Sequence, residues 1–510
     1  MAPNEAVTNL QSPPTTAVST AATMSPASAA ADIILYWNAV ALEANRESHS
    51  VPNGEQTGPT LSARALGIVH LAMHDAFFAI DGGHPLYMAL PPSSPGNPIS
   101  ERTNIAAAVS AAACTALSAL YPSQRAKFEA AVLGAGILAA DAAASGALGR
   151  AVGHRIFASL AIKPNEPGVG DKEYEASFAH GHHRQDPDNP GQGFYGPFYG
   201  ATARTMAAFN GHTLAPPPMS DTPDYKAALD QVIRKGGATA LKTTDRLSKD
   251  TLIGVYWAYD GVKSIGTPPR LYNEILRTVA RSKNNSEADN ARLFALVNVA
   301  MADAGKFCWH EKYRYDLWRP VLGVREHDRS MGPTGTPAST LDPACHPFWL
   351  PLGAPKTNEP GGRNFTPNFP AYPSGHATFG ASALQMIRRF YGDFTSEEIA
   401  AGAQKPDTIA FDFVSDELNG ISVDTNGTVR PRHVRHFDSL WHAIFENGLS
   451  RVFLGVHWIF DAFDAADVMV DSETFKDPAD IEYTKQVGGV KLGLDIANDI
   501  FDSGLKASTL

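Results

Sequence analysis

Three short stretches of the chain carry side chains that could bind and transform an anion. In the first, Lys312-Tyr-Arg-Tyr-Asp-Leu-Trp-Arg319-Pro320, a lysine and an arginine stand seven residues apart. On a helix that spacing puts both on one side, although Pro320 disfavours helix at Arg319 itself. Two cations on one face suit an oxyanion; a solvated basic face would look the same. The second stretch, Pro373-Ser374-Gly375-His376, reads as a turn followed by a helix start. A serine hydroxyl, a backbone N–H beside a glycine and a helix N-terminus form an anion cradle, and His376 could exchange a proton there. An ordinary N-cap needs no more than this. The third stretch holds Ser450-Arg451, then His457 and Asp461, four residues apart. That spacing stacks the pair on one helical face, where the carboxylate would fix the imidazole tautomer and leave the other nitrogen free as ligand or nucleophile. A structural hydrogen bond is the plainer alternative.

The elements that must position these residues read as helices. Apolar spacing of three and four predicts helix over 32–46, 61–80, 104–120, 126–160, 225–260, 288–318, 376–391 and 437–460, and few segments alternate like strands. Two long stretches, 163–224 and 323–373, are dense in Gly and Pro and read as irregular excursions of the functional kind. Length alone would allow about three domains, yet the helical pattern favours one compact unit. Hydrophobic residues make up 44% of the 510, enough for a sizeable core. The net charge of −11 argues against nucleic acid or an anionic membrane as partner, so paired cations run against the global balance. No apolar run of membrane-spanning length is evident. Residues 1–31, rich in Ala, Ser, Thr and Pro, read as a disordered low-complexity tail and a poor signal peptide. Cys114, Cys308 and Cys345 are widely spaced and read as small buried hydrophobes.

Taken together and in order, Lys-x6-Arg-Pro, Pro-Ser-Gly-His and Ser-Arg-x5-His-x3-Asp resemble the signature shared by vanadium haloperoxidases and type 2 phosphatidic acid phosphatases. Further segments, including Trp257-Ala-Tyr-Asp260-Gly261, Gly266-Thr-Pro-Pro269, Val434-Arg-His-Phe-Asp438 and Gly193-Phe-Tyr-Gly-Pro-Phe-Tyr199, are similar to the fungal chloroperoxidase branch. The resemblance runs from about residue 33 to about residue 506 and thins between 82 and 188 and between 325 and 343. It implies an all-α fold of two packed four-helix bundles: an N-terminal bundle over about 32–240, an active-site bundle over about 241–475 and an extension over 476–510.

The resemblance also implies one vanadate per chain, bound axially by His457. Lys312, Arg319, Arg451, Ser374 and the Gly375 N–H would hold its equatorial oxygens. His376 would face the axial oxygen and act as acid/base, Asp260 would pair with Arg451, and Asp461 would orient His457. Hydrogen peroxide would bind on the vanadate and Lys312 would help polarise it. The implied products are hypohalous acid from chloride, bromide or iodide, with organic acceptors reached by diffusible oxidant. Trp309 and Phe369 match the chloride-competent type, where bromide-preferring relatives typically carry His at the second position; both could equally be core aromatics. The other branch implies an acid phosphatase with His457 as phosphohistidine nucleophile. The chemistry would suit a secreted protein, and oligomeric state is not readable. His70, His74 and Asp75 could bind zinc but lack a third ligand pattern, and His180, His182 and His183 read as exposed loop residues. A role for His376 as acid/base carries an expectation: rate profiles have a mildly acidic optimum that moves with peroxide and halide concentration, whereas a flat rate from roughly pH 4 to 9 would remove His376 from that role.

Overall fold

The computed structural model describes residues 32–90, 102–136, 143–162, 174–392, 397–398 and 406–510. The proposed tail, 1–31, lies outside them. Helix starts are set by local chemistry. Asp32 caps α1 (Ile33–Ser48) by accepting from the Ile34 and Leu35 amides. Proline opens α2 (Pro59–Asp81), where its missing N–H costs nothing. Then come α3 (Arg102–Leu120), α4 (Arg125–Gly134), α5 (Ala143–Leu160), the single turn α6 (Tyr199–Thr202), α7 (Pro223–Gly236), α8 (Ser248–Tyr256) and α9 (Pro268–Ser282). A capping box of Ser286 and Asp289 starts the longest helix, α10 (Glu287–Tyr315). The remainder are α11 (Pro320–Arg325), α12 (Gly375–Phe390), α13 (Leu440–Phe453), α14 (Ile459–Ala462), α15 (Ala465–Val468) and α16 (Gly488–Ser503).

The fold is all-α apart from one two-stranded antiparallel ribbon, Phe411–Val414 with Val434–Phe437, among the described residues. Helix α2 packs on α3, α5 and α10, and α12 packs on α10, α13 and α16, so α10 touches both groups. One large apolar cluster runs through both. Helix α2 is also long and apolar enough by composition to cross a membrane, contrary to the reading that no such run exists. In that window 94% of the residues are buried inside the protein, which is how a helix apolar on every face behaves in a core.

Several boundaries differ from the sequence reading. The 126–160 pattern belongs to two helices, and the 225–260 pattern breaks into α7 and α8, with Gly237 leaving α7 in an extended conformation. Helix α9, opened by Pro268 and Pro269, was not anticipated from the pattern. Helix α10 stops at Tyr315, because Asp316 turns left-handed at φ 49°. Helix α13 covers only Leu440–Phe453 of the region 437–460.

Helix α16 approaches α12 closely through glycine. A methyl group at Gly489 would lie 2.4 Å from the Ser374 carbonyl oxygen, and one at Gly493 would lie 2.4 Å from that of Thr378. Alanine would gain up to about 1 kcal/mol of helix propensity, but the opposing atom is backbone and cannot swing away. Gly493→Ala is therefore expected to cost roughly 1–3 kcal/mol net through overpacking, read as a lower melting temperature. Gly211→Ala is the control, since a methyl group there meets nothing within 4 Å. A Gly493→Ala protein as stable as its parent would show that this helix contact yields.

Candidate oxyanion site

The three cationic side chains converge in the interior, each fully buried. Lys312 sits in the last turn of α10, and its ammonium donates to the carbonyls of Pro370 (2.8 Å), Ala371 (3.0 Å) and Pro373. Burial pulls its pKa down to about 7, reinforced by Arg319 and Arg451. Arg319 is not on that helix face. It caps α11 in an extended conformation, and the left-handed turn at Asp316 carries it back towards Lys312. Its Nε donates to the Phe369 carbonyl (2.8 Å), and Nη1 donates to the Val456 carbonyl (2.7 Å) and to His457 Nε2 (2.8 Å). Arg451, in the last turn of α13, makes a two-pronged ion pair with Asp260 at 2.6 and 3.0 Å.

His457 and Asp461 meet as their spacing suggests, but by a different route. His457 precedes the short helix α14, whose N-cap is Trp458. Asp461 folds back to accept from the Trp458 amide (3.0 Å) and from His457 Nδ1 (2.7 Å). The Nδ1 proton then fixes the tautomer and leaves a lone pair on Nε2. Burial, with Arg319 and Lys312 nearby, holds the imidazole well below its usual range and therefore neutral. Burial raises the Asp461 carboxyl to about 7.

Ser374 caps α12, and Gly375 is that helix's first residue. The Ser374 amide donates to the Asp461 carbonyl (2.8 Å), tying the helix start to α14. His376 follows, its Nε2 donating to the Ala258 carbonyl, which leaves Nδ1 to the pocket. Burial and Arg451 lower its pKa to about 3, against the pull of Asp260; a bound anion would oppose that shift. Trp309 and Phe369 pack with their rings tilted by 52° and 4.8 Å between centroids, with Lys312 Nζ 5.5 and 5.1 Å from their rings and the Arg319 guanidinium 4.9 Å from Phe369. A cavity of about 470 Å³ opens onto His376, Arg451, His457, Gly375, Trp309 and Phe369, and its walls contain no Cys or Met.

This arrangement fits a tetrahedral or trigonal oxyanion. Arg319 Nη2 and Arg451 Nε are buried without a hydrogen-bond partner, a costly state unless something accepts from them. The first-turn N–H groups of α12 and the His457 lone pair complete a donor set with one nitrogen ligand. Among the described residues, no three His, Cys, Asp or Glu side chains gather as a metal-cation site.

Three supporting groups had no signal in the sequence. The Ala258 carbonyl is backbone, and the Tyr272 hydroxyl (3.0 Å) and Asn447 amide (2.8 Å) donate to the His376 carbonyl from α9 and α13. Only the polarity of Asn447 on an apolar helix could have hinted at it. Tyr195, from the glycine-rich 193–199 loop, lines the cavity. The exposed reading of the three loop histidines is corrected for His183 and His180, whereas His182 keeps 43% of its side chain exposed. His183 is buried against Phe194, His182 bonds Asp316 (2.9 Å), and His180 lies 3.1 Å from the Glu326 carbonyl. His70 and His74 are core residues: Asn38 and the Leu66 carbonyl engage His70, and Asp75 engages His74. Cys308 and Cys345 are buried as expected, Cys114 partly so.

The fold and the site define a helical protein built to hold a small oxyanion beside a neutral histidine. Two family profiles match it: VCPO second helical-bundle domain over residues 292–469, and Vanadium chloroperoxidase N-terminal domain over residues 22–193. The vanadium chloroperoxidase of Curvularia inaequalis is 38% identical over an alignment 574 positions long, gaps included, covering 93% of this chain and 90% of that protein. Two solved structures share the fold. A bacterial vanadium-dependent iodoperoxidase has a TM-score of 0.63 at 18% identity, covering 91% of this chain and 95% of its own. An apo bacterial vanadium-dependent chloroperoxidase has a TM-score of 0.58 at 16% identity, covering 91% and 99%. This chain belongs to the vanadium chloroperoxidase family.

Lys312 gives the site a testable pH dependence. With its pKa near 7 in the free protein, the ammonium is present below that pH. A bound anion raises this pKa, so binding above pH 7 must take up a proton. Vanadate affinity is expected to hold below about pH 7 and then fall by up to about tenfold per pH unit until the raised pKa is reached. Lys312→Met should bind more weakly and lose that component of the slope, as titration calorimetry across pH would read. Equal slopes in the two proteins would show that Lys312 takes up no proton on binding, and equal affinities as well would exclude it from the site.

Proposed function

We propose that this protein oxidises chloride, and with it bromide and iodide, using hydrogen peroxide to give hypohalous acid at a vanadate held by His457. The observation that carries this reading is the pair of buried guanidinium nitrogens without a partner, Arg319 Nη2 and Arg451 Nε, in a site where His457 Nε2 is held as a lone pair that accepts only from Arg319 Nη1 among the described residues. Lys312, Arg319 and Arg451 offset the anion's charge, Arg through its planar fork and Lys as a compact donor. Arg319 exchanges its contact with His457 Nε2 for the ligand. Ser374 and the Gly375 N–H donate from the start of α12. When bound, vanadate supplies a Lewis acid that activates peroxide without changing oxidation state. His376 takes the peroxide proton at Nδ1, since its Nε2 proton is committed to the Ala258 carbonyl. Asp260 keeps Arg451 aimed, and Asp461 keeps His457 in one tautomer. Trp309 and Phe369 give the halide an apolar wall beside Lys312, the feature that favours chloride. Organic acceptors are then reached by diffusible oxidant.

The architecture behind this site is read as two four-helix bundles, over about 32–240 and 241–475, with 476–510 as an extension packed on α12. The contacts of α2 with α3 and α5, and of α12 with α13, support that division, and α10 spans both.

Chelator-stripped protein, assayed with and without vanadate for halogenation of a dione in chloride and separately in bromide, tests the reading. Vanadate-dependent turnover in both halides is expected. Turnover in bromide alone would discard the role given to Trp309 and Phe369. Cleavage of a phosphate ester that vanadate inhibits, without halogenation, would make His457 a phosphoryl acceptor instead.

A further inference from the structure

The segment Ala258–Tyr259–Asp260 serves the site at both ends. The Ala258 carbonyl receives the His376 Nε2 proton, and the Asp260 carboxylate grips both prongs of Arg451. Between them Tyr259 is left-handed, at φ 44°, a conformation a tyrosine seldom adopts. Such a turn persists only if its surroundings hold it. The holding element is the short turn Asp416–Leu418 and the serine before it. Glu417 Oε1 accepts the Tyr259 amide (3.3 Å), the Asp416 amide donates to the Tyr259 hydroxyl (2.8 Å), and the Ser415 hydroxyl donates to the Tyr256 carbonyl (2.7 Å). Glu417 is itself fully buried and anchored by Arg430 and by the Thr357 hydroxyl (2.6 Å). Arg430 also donates to that hydroxyl (3.0 Å), closing a triangle.

We infer that Glu417 is a positioning residue for the oxyanion site: through the Tyr259 amide it fixes the turn that aims His376 and Arg451 together. This rests on the oxyanion reading of the site. Glu417 touches neither residue, so its effect passes through the backbone of 258–260. Removing it lets Ala258 and Asp260 move as one piece, and the two site residues should lose alignment jointly. Among the described residues Arg430 is the only ion-pair partner of Glu417, so Glu417→Ala combined with Arg430→Ala removes the buried pair and leaves only Asp424, which Arg430 also meets at 3.4 Å and which is exposed enough to be solvated.

The experiment compares vanadate affinity, by titration calorimetry, with the melting temperature of the vanadate-free protein. The double variant is expected to bind vanadate about 10–100-fold more weakly. Glu417→Gln combined with Arg430→Ala keeps an oxygen for the Tyr259 amide, with the glutamine NH2 turned to the Thr357 hydroxyl, and should restore most of the affinity. A merely structural Glu417 would lower the melting temperature and leave the folded fraction binding vanadate like the wild type, and that result would overturn the inference. If the double variant does not fold, Glu417→Leu with Arg430→Met, which removes the acceptor of the Tyr259 amide while keeping the buried volume, carries the test. It should also weaken binding, and unchanged affinity would again overturn the inference. A wild-type protein that binds no vanadate would sink the oxyanion reading as well, whereas vanadate binding with indifferent variants would sink the role of Glu417 alone.

Discussion

Three cations buried side by side are the constraint around which this structure is arranged. Lys312, Arg319 and Arg451 have no contact with solvent, and among the described residues only Arg451 faces a carboxylate that neutralises it directly. Taking each ion out of water costs several kcal/mol even after relaxation. What offsets the cost at Lys312 and Arg319 is backbone: the carbonyls of Phe369, Pro370, Ala371, Pro373 and Val456 stand in for water. A helix interior has no carbonyls to spare, because each is bonded within the helix. The irregular stretch ahead of α12 is therefore a solvating device, and its proline content keeps it from becoming a helix.

The same constraint explains why so many elements end at the start of α12. Lys312 holds the Pro373 carbonyl from α10, and the Asp461 carbonyl holds the Ser374 amide from α14. Tyr272 and Asn447 hold the His376 carbonyl from α9 and α13, and Gly489 of α16 leaves no room behind Ser374. Five helices thus fix one helix N-terminus, so that its N–H groups point into the site with little freedom. Preorganised donors of this kind act without reorganising at the moment they are needed.

The site was largely legible because its chemistry is written in side chains whose order the motifs preserve. Lys312, Arg319, Ser374, His376, Arg451, His457 and Asp461 all come together, and so does Asp260, which only the resemblance singled out. The geometry was less legible. Helical spacing was the wrong reason for the convergence of Lys312 with Arg319 and of His457 with Asp461. A left-handed Asp316 and a cap at Trp458 achieve both, and neither leaves a pattern in residue types. The backbone carbonyls that solvate the cations are invisible to any motif. The burial of His183 was missed because a loop rich in Gly, Asp and His looks wet from composition alone. In the fold, long apolar patterns marked the helices well, while their ends were decided by glycine and by turns that tertiary packing selects. The ribbon at 411–414 and 434–437 was too short for alternation to announce it.

The wall of the cavity has a further consequence. An enzyme whose product is a strong oxidant is exposed first to its own output. Thioethers and thiols are among the side chains that oxidants alter most readily. Among the described residues none lines the passage from the site: Cys308 lies behind it, its sulfur turned to the Pro373 carbonyl, and the surfaces the product meets are aromatic rings, prolines, imidazoles, hydroxyls and amide groups. The passage is thus built of comparatively refractory material, and the working lifetime of the protein would be governed by the slower attack on Trp309 and Tyr195 at its edge.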